Sequence, residues 1–313
     1  MKAIRVHAFG GVDVLAYEDV EQPSLAEGQV LVRVKAAGVG PWDAWVRSGT
    51  SKIQQHLPLT PGADLAGVVE SAGMDVPFHR GDEVYGVTNG EFVGAYAEYA
   101  VATATMLARK PANIGFVAAA SAPVVASTAW QMLFDHGLVD STKRVLVHGG
   151  AGNVGAYAVQ MARDVARDVI ATALPDDIDY VRALGAHRVI DVRTTPFESE
   201  ARDLDVVVDT VGGETLARSF AVLKPGGVLV SSVSVPDHEM AARHQVRGVF
   251  FLVKVTSEGL TRIASMIDEG RLAACVGEVL RLSDARVAHE MLAGRPHKRG
   301  KIVLRLDAEA GEA

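Results

Sequence analysis

The stretch that most restricts the fold of this chain is Val145–Gly155, VLVHGGAGNVG. A short apolar run, RVLVH (Arg144–His148), ends in a burst of glycine, and a helical pattern, NVGAYAVQMARDV, begins at once. The same alternation continues. DVIAT (Asp168–Thr172) precedes a helical stretch ending at ALGA. HRVID (His187–Asp191) and LDVVVDT (Leu204–Thr210) follow, then helical ETLARSFAVL, GVLVSSV (Gly227–Val233) and the unusually apolar RGVFFLV (Arg247–Val253). Helical and strand periods that alternate in this way indicate an α/β unit. Strand runs this apolar suit a doubly wound parallel sheet covered on both faces.

Before Ser121 the rhythm differs. VLVRVKAAGV (Val30–Val39), LAGVVESAG (Leu65–Gly73), GDEVYGV (Gly81–Val87) and GAYAEYAVAT (Gly94–Thr103) are short strand-like runs separated by Gly, Pro and Asp turns, as in a β-barrel-like domain. The expected division is 1–120 for this β domain and 121–270 for the parallel-sheet domain. Beyond about Thr256 the pattern predicts a helix to Gly270, a strand near Val276–Leu280, a helix near Asp284–Leu292 and a closing strand GKIVLRL. These last pieces (271–313) are expected to return to the first domain, with a frayed tail, LDAEAGEA.

Bulk properties narrow the function classes. Net charge is −7 and no run of Lys and Arg occurs, which argues against a nucleic-acid or anionic-membrane surface. No segment approaches the ~18 apolar residues of a membrane span. The single cysteine, Cys275, cannot form an internal disulfide or a multi-cysteine zinc site. The N-terminal MKAIRVHAFG is strand-like and lacks the apolar core of a signal peptide, so a reducing, cytoplasmic setting is expected.

Gly150, Ala151, Gly152, Asn153, Val154 and Gly155 match G-x-G-x-x-G in the strand–turn–helix context that makes the pattern a dinucleotide fingerprint. The first glycine permits the turn, the second lets a pyrophosphate approach the backbone, and the third lets the helix pack closely. The helix start then favours an anion. An acid that would bind the adenosine ribose is missing from the end of the next strand, which reads Thr172-Ala173-Leu174-Pro175, and no Arg or Lys stands there for a 2′-phosphate. Asp176 and Asp177 are read as solvent-facing residues at the next helix start. NADPH and NADH both remain open at this point.

The chain resembles the medium-chain dehydrogenase/reductase superfamily, and within it the zinc-free quinone oxidoreductases of the zeta-crystallin-like group. The resemblance runs through AAGVGPWDAWVRSG (Ala36–Gly49), TPGADLAGVVESAG (Thr60–Gly73), GDEVYGV, GAYAEYAV, STAW (Ser127–Trp130), VLVHGGAGNVG, LGAHRVID, DVVVDTVGG, LKPGGVLVSS and the final GKIVL. It implies a GroES-like catalytic domain, a Rossmann cofactor domain and an active-site cleft between them. Zinc relatives place a cysteine ligand where this chain has Gly40 and a histidine where it has Ala63, and their four-cysteine lobe has no counterpart. His136 and His148 are read as surface and strand-end residues. No metal is therefore expected.

Without a Lewis acid, oxidising a simple alcohol is hard, whereas a quinone or conjugated enone already delocalises an incoming hydride. The expected activity is hydride transfer from NAD(P)H to such an acceptor. The family resemblance favours NADPH and leaves NADH open. It also implies cofactor contacts from Thr128, from the turn Gly150–Gly155, from Ser231, Ser232 and Val233 at the sheet's switch point, and from Phe250 and Phe251, the last two equally consistent with core or interface packing. The substrate loop departs from the family's Gly-Val-Asn-Pro-x-Asp, reading Gly38-Val39-Gly40-Pro41-Trp42-Asp43. Trp42 and Trp45 either form an aromatic wall for a planar acceptor or pack the loop. Asp43 is read as a loop-fixing acceptor, Asp64 as structural, and Tyr96 and Tyr99 as proton donors or packing residues. No catalytic acid is assigned. The alternatives are a 2-alkenal or enone reductase and, in another class, a cofactor-binding regulatory protein with little catalysis. A homodimer through the edge strand Arg247–Val253 is expected.

Overall fold

The computed structural model describes residues 1–306, which form two compact units. In chain order the strands are β1 (Lys2–Val6), β2 (Leu15–Asp19), β3 (Gln29–Val39), β4 (Asp64–Ala72), β5 (Glu83–Val87), β6 (Tyr99–Thr103), β7 (Leu107–Arg109), β8 (Arg144–His148), β9 (Asp168–Ala173), β10 (Arg188–Asp191), β11 (Leu204–Asp209), β12 (Leu223–Ser231), β13 (Arg247–Phe250), β14 (Val276–Arg281) and β15 (Lys301–Arg305).

Among the described residues, the first unit comprises Met1–Val124, Val255–Gly270 and 274–306. Its sheet runs β14-β15-β3-β4-β5-β7, with β6 also paired to β3. β3 is the spine. One edge pairs β4 along its length, while the other pairs β6 through Gln29–Arg33 and β15 through Ala36–Val39. A strand so enclosed buries both faces, and Val30, Val32, Val34, Ala37 and Val39 all lie in the core. Gly67 on β4 allows the close approach, since a Cβ there would sit 2.3 Å from the Arg33 carbonyl oxygen.

The second unit, Val125–Lys254 with Arg271–Ala273, is a six-stranded parallel sheet in the order β10-β9-β8-β11-β12-β13. The order reverses at β8 and β11, the place where doubly wound sheets bind ligands at the carboxyl ends of their strands. All six residues of β11 are buried, as expected of a central strand covered on both faces. The fold is thus a mixed α/β architecture with a GroES-like β unit and a Rossmann-type unit.

Three expectations change in detail. The helix Ser257–Asp268, placed by the sequence reading in the parallel-sheet domain, packs on the first unit. There Tyr85 donates its hydroxyl to the Leu260 carbonyl at 2.6 Å, and Asn113 binds Asp268 and the Ile267 carbonyl. The expected strand Gly94–Thr103 begins only at Tyr99. Gly94 is left-handed, and the amides of Gly94, Ala95 and Tyr96 bind the loop carbonyls of Thr60, Gly62 and Pro61 instead of a ladder. β13 stops at Phe250, three residues short of Val253. Leu306 packs against the first unit's core, and the rest of the tail, residues 307–313, lies outside the described residues. Among the described residues no helix is long and apolar enough to cross a membrane.

Candidate active site

The glycine turn lies at the end of β8. Gly149 is left-handed at φ +70°, and the chain then enters the helix Asn153–Arg163 through Gly152. Gly155 is the most constrained glycine here: a Cβ would lie 2.1 Å from the Gly149 carbonyl oxygen, so the helix's first turn sits directly on the strand's end. Gly150 is less crowded, with Ala171 and Val181 carbons 3.0 Å from a would-be Cβ. No side chain caps this helix and its first turn holds no acid, so its leading N–H groups face outward as anion donors.

What holds the turn is a set of polar residues that end the apolar strands, and sequence reading did not single these residues out for that role. The Gly149 amide donates to the Thr172 hydroxyl at 3.1 Å, and the Gly150 amide donates to the Thr172 carbonyl at 2.9 Å. His148 lies between Thr172 on its Nδ1 (3.2 Å) and Ser219 on its Nε2 (3.0 Å). Ser219 gives its own proton to the Thr215 carbonyl, so His148 must donate from Nε2 and accept at Nδ1. Burial holds this imidazole down to about pKa 4, so it is neutral near pH 7. Thr210 donates to the His148 carbonyl at 2.7 Å and ties β11 to β8.

Ser231, expected near the cofactor, is wholly buried. It donates to Asp209 at 2.7 Å and accepts from the amides of Val233 and Ser234. The other Asp209 oxygen receives the amides of Val211 and Gly212. Ser231 therefore organises the rim, Ser232 is half-buried, and Val233 is exposed beside Gly212. Thr128 is buried in the helix Pro123–Trp130. Phe250 ends β13, half-buried, and the Phe251 ring lies 4.5 Å from that of His136. Between the ends of β8, β9 and β10 opens a cavity of about 570 Å³, lined by His148, Gly149, Thr172, Leu174, Arg193 and Phe197 among others. A Gly-rich turn with free helix amides, a polar rim at the switch point and an adjoining cavity suit a dinucleotide.

In the first unit, the loop Gly38–Asp43 leads into the helix Pro41–Ser48, which starts with proline and ends at left-handed Gly49. Asp43, fully buried, accepts the Gly40 amide at 2.8 Å and the Tyr96 hydroxyl at 2.9 Å on one oxygen, while the other has no partner. Burial raises its pKa to about 7, against the pull of the Gly40 amide, Lys301 and Tyr96. Burial also raises Asp64, although Lys301 lies 2.9 Å away. The Lys301 ammonium sits 4.1 Å from the centre of the Trp42 ring, which meets Phe92 edge-on. Trp42 thus packs the loop, whereas Trp45 is 55% exposed. Tyr96 is buried and Tyr99 is part of β6. Arg47, a donor only, binds Nδ1 of buried His289 at 2.9 Å, leaving the Nε2 proton without a partner.

The departure at Gly40 has a steric cause. Its backbone is extended, yet a Cβ would lie 2.3–2.4 Å from atoms of the Trp42 ring. Neither Gly40 nor Ala63 offers a donor side chain. Among the described residues, no group of three or more His, Cys, Asp or Glu side chains is arranged to hold a metal. The residues present do not fit a zinc centre.

Residues 26–112 match the alcohol dehydrogenase GroES-like domain, and residues 184–304 match the family described as zinc-binding dehydrogenase. The chain is 33% identical to the quinone oxidoreductase of Lama guanicoe, covering 98% of both chains. It is 35% identical to the 2-methylene-furan-3-one reductase of Solanum lycopersicum, over 87% of this chain and 70% of that one. The solved structure of the quinone oxidoreductase from Coxiella burnetii superposes with a TM-score of 0.90 at 32% identity, covering 98% of this chain and 99% of that one. The chain is a nicotinamide-dependent oxidoreductase, and it belongs to the quinone oxidoreductase-like group of the medium-chain dehydrogenase/reductase superfamily.

Proposed function

We propose that this protein reduces quinones, or similarly conjugated carbonyls, with NAD(P)H and without zinc. The observation that carries the reading is the substitution at the substrate loop: the positions that hold zinc ligands in metal-dependent relatives are Gly40 and Ala63, and the Trp42 ring fills the space a side chain at Gly40 would need. Full-length similarity to proteins named quinone oxidoreductase supports the choice of acceptor. A bound reduced nicotinamide supplies the hydride. The residues named here bind and orient. The amides at Asn153–Gly155 would hold a pyrophosphate, and the network Thr172–His148–Ser219 fixes the turn that carries them. Thr128, Ser232, Val233, Phe250 and Phe251 are the further cofactor contacts in this reading. Trp45 offers an exposed aromatic face to a planar acceptor. A quinone gaining a hydride also needs one proton to become a hydroquinone. Asp43 is fully enclosed, so water is the proton source in this reading.

The test is steady-state turnover of 1,4-benzoquinone and 9,10-phenanthrenequinone against a simple enone, with NADPH and NADH, before and after exhaustive chelation. Quinone turnover above background that chelation leaves intact is expected. Loss of activity on chelation, restored by zinc, would overturn the metal-free reading. Preference for the enone would favour the second reading, to which the likeness to the tomato 2-methylene-furan-3-one reductase points.

A homodimer belongs to the same proposal. β13 is the last strand of its sheet, and Leu252 just beyond it is 59% exposed, so pairing with the same strand of a second copy would cover an apolar edge. A monomer at micromolar concentration in light scattering would contradict it.

A further inference from the structure

While the Trp42 ring packs the substrate loop, its indole Nε1–H is buried and has no hydrogen-bond partner. An indole nitrogen can only donate, and a buried donor left without an acceptor carries its full desolvation cost. A native structure keeps such a group where a role or an arriving partner repays it. The place of this one is informative. Cε2, the carbon that carries the nitrogen, lies 2.4 Å from the position a Cβ at Gly40 would take. The N–H therefore sits one bond from the space into which a side chain at position 40 would grow. An asparagine there would bring an amide donor into that space. Glycine brings none, and the indole occupies it. Other donors of the loop region are spent, since the Gly40 amide and the Tyr96 hydroxyl both go to Asp43.

We propose that Trp42 is a catalytic residue, its indole N–H donating to the carbonyl oxygen of the acceptor; this rests on the reading that the loop Gly38–Asp43 faces a quinone or conjugated carbonyl. When hydride adds to such an acceptor, its electron pair ends as negative charge on a carbonyl oxygen. A donor already fixed at that oxygen stabilises the charge as it develops. The indole keeps its hydrogen, and the proton that completes the hydroquinone comes from water. The oxygen reaches the buried N–H when a neighbour of the ring gives way, and Phe92, edge-on to Trp42, is suited to do so. It is half-buried and has φ +63°, a conformation that bulky residues rarely adopt. Asn89 builds this turn by accepting the Glu91 amide at 3.0 Å and donating to the Val93 carbonyl at 2.9 Å. Backbone strain of this kind collects at ligand clamps.

The test reads the N–H itself. Protein labelled with ¹⁵N gives one indole resonance for each of Trp42, Trp45 and Trp130. Trp45→Phe and Trp130→Phe identify two of them and leave the third as Trp42. With NADP⁺ or NAD⁺ in place of the reduced cofactor nothing turns over, and 9,10-phenanthrenequinone is expected to move the Trp42 indole proton downfield. Trp42→Phe keeps a ring for the Lys301 ammonium but has no N–H. Its kcat for this quinone should fall at least about tenfold with KM little changed, because the bond strengthens only as charge develops. The native resonance decides the matter should that variant fail to fold. A Trp42 proton unmoved while the quinone shifts other resonances, or an undiminished kcat in Trp42→Phe, would overturn the proposal alone. A proton already downfield without quinone and unmoved by it would mean that a water ties the indole to the free oxygen of Asp43, and would overturn it equally. No turnover of quinone or enone by the native protein would overturn the acceptor reading itself, and this one with it.

Discussion

Replacing Asp43 with Asn probes the buried cluster of the first unit directly. Two carboxyls, Asp43 and Asp64, are enclosed with one ammonium, Lys301, which lies 2.9 Å from Asp64. Asp43 is therefore the carboxyl left to keep a proton, and burial raises its pKa from 3.8 to about 7. Between those two values the native state holds a proton that the unfolded chain has released, so stability falls as pH rises. One proton corresponds to about 1.4 kcal/mol per pH unit. From about pH 4.5 to 7 the loss is then about 3 kcal/mol, levelling off above pH 7. In Asp43→Asn the amide oxygen still accepts from Gly40 and Tyr96, but nothing titrates. Urea unfolding, followed by fluorescence in a Trp130→Phe background so that emission comes from Trp42 and Trp45, measures both proteins across this range. The variant should be the less stable at low pH and gain about 3 kcal/mol relative to the parent by about pH 7.5. A gap between the two that stays constant across the range would refute the assignment of the proton to Asp43.

Other substitutions test the remaining links. Gly155→Ala forces a methyl against the Gly149 carbonyl at 2.1 Å, so it should cost about 1–3 kcal/mol in thermal melts and abolish the fluorescence change on NADPH titration. Lys301→Met strands Asp64 in the interior and should cost about 3–5 kcal/mol in urea unfolding, much of it recovered by adding Asp64→Asn. Thr172→Val removes the acceptor of the Gly149 amide and the donor to His148. A loss of about 1–3 kcal/mol is expected, with weaker dinucleotide binding by calorimetry. Gly40→Asn, which restores the family residue, should destabilise by about 1–3 kcal/mol, because its Cβ falls on the Trp42 ring; Trp42→Ala in the same chain should relieve this, as a double-mutant cycle would show.

The parallel sheet and its glycine turn were legible because each signal is local: an apolar run, a glycine at a required offset, a helical period. The rim was not. His148, Thr172, Asp209 and Ser231 each look like one polar residue ending an apolar strand. Their meaning appears only when β9 and β11 flank β8, and β12 lies beside β11, bringing residues far apart in sequence into hydrogen-bonding distance. The helix Ser257–Asp268 shows a clear amphipathic pattern, but an apolar face does not say which sheet it will cover. Its partner was settled by Tyr85, 175 residues away in the chain.

The substrate loop shows the same limit in a sharper form. From sequence, Gly40 and Ala63 look like two independent losses. In the structure a line of contacts leads from Gly40 into the interior: the Gly40 backbone lies under the Trp42 ring, Trp42 meets the Lys301 ammonium at 4.1 Å, and Lys301 meets Asp64 at 2.9 Å. A charge buried this deeply persists only when paired, and here it has both a carboxylate and an aromatic face. Enlarging Gly40 would move the ring, moving the ring would expose or unpair Lys301, and an unpaired Lys301 would leave Asp64 uncompensated. Gly40 and the buried ion pair therefore constrain one another through the Trp42 ring, and returning a donor side chain to Gly40 requires repacking Trp42 against Lys301.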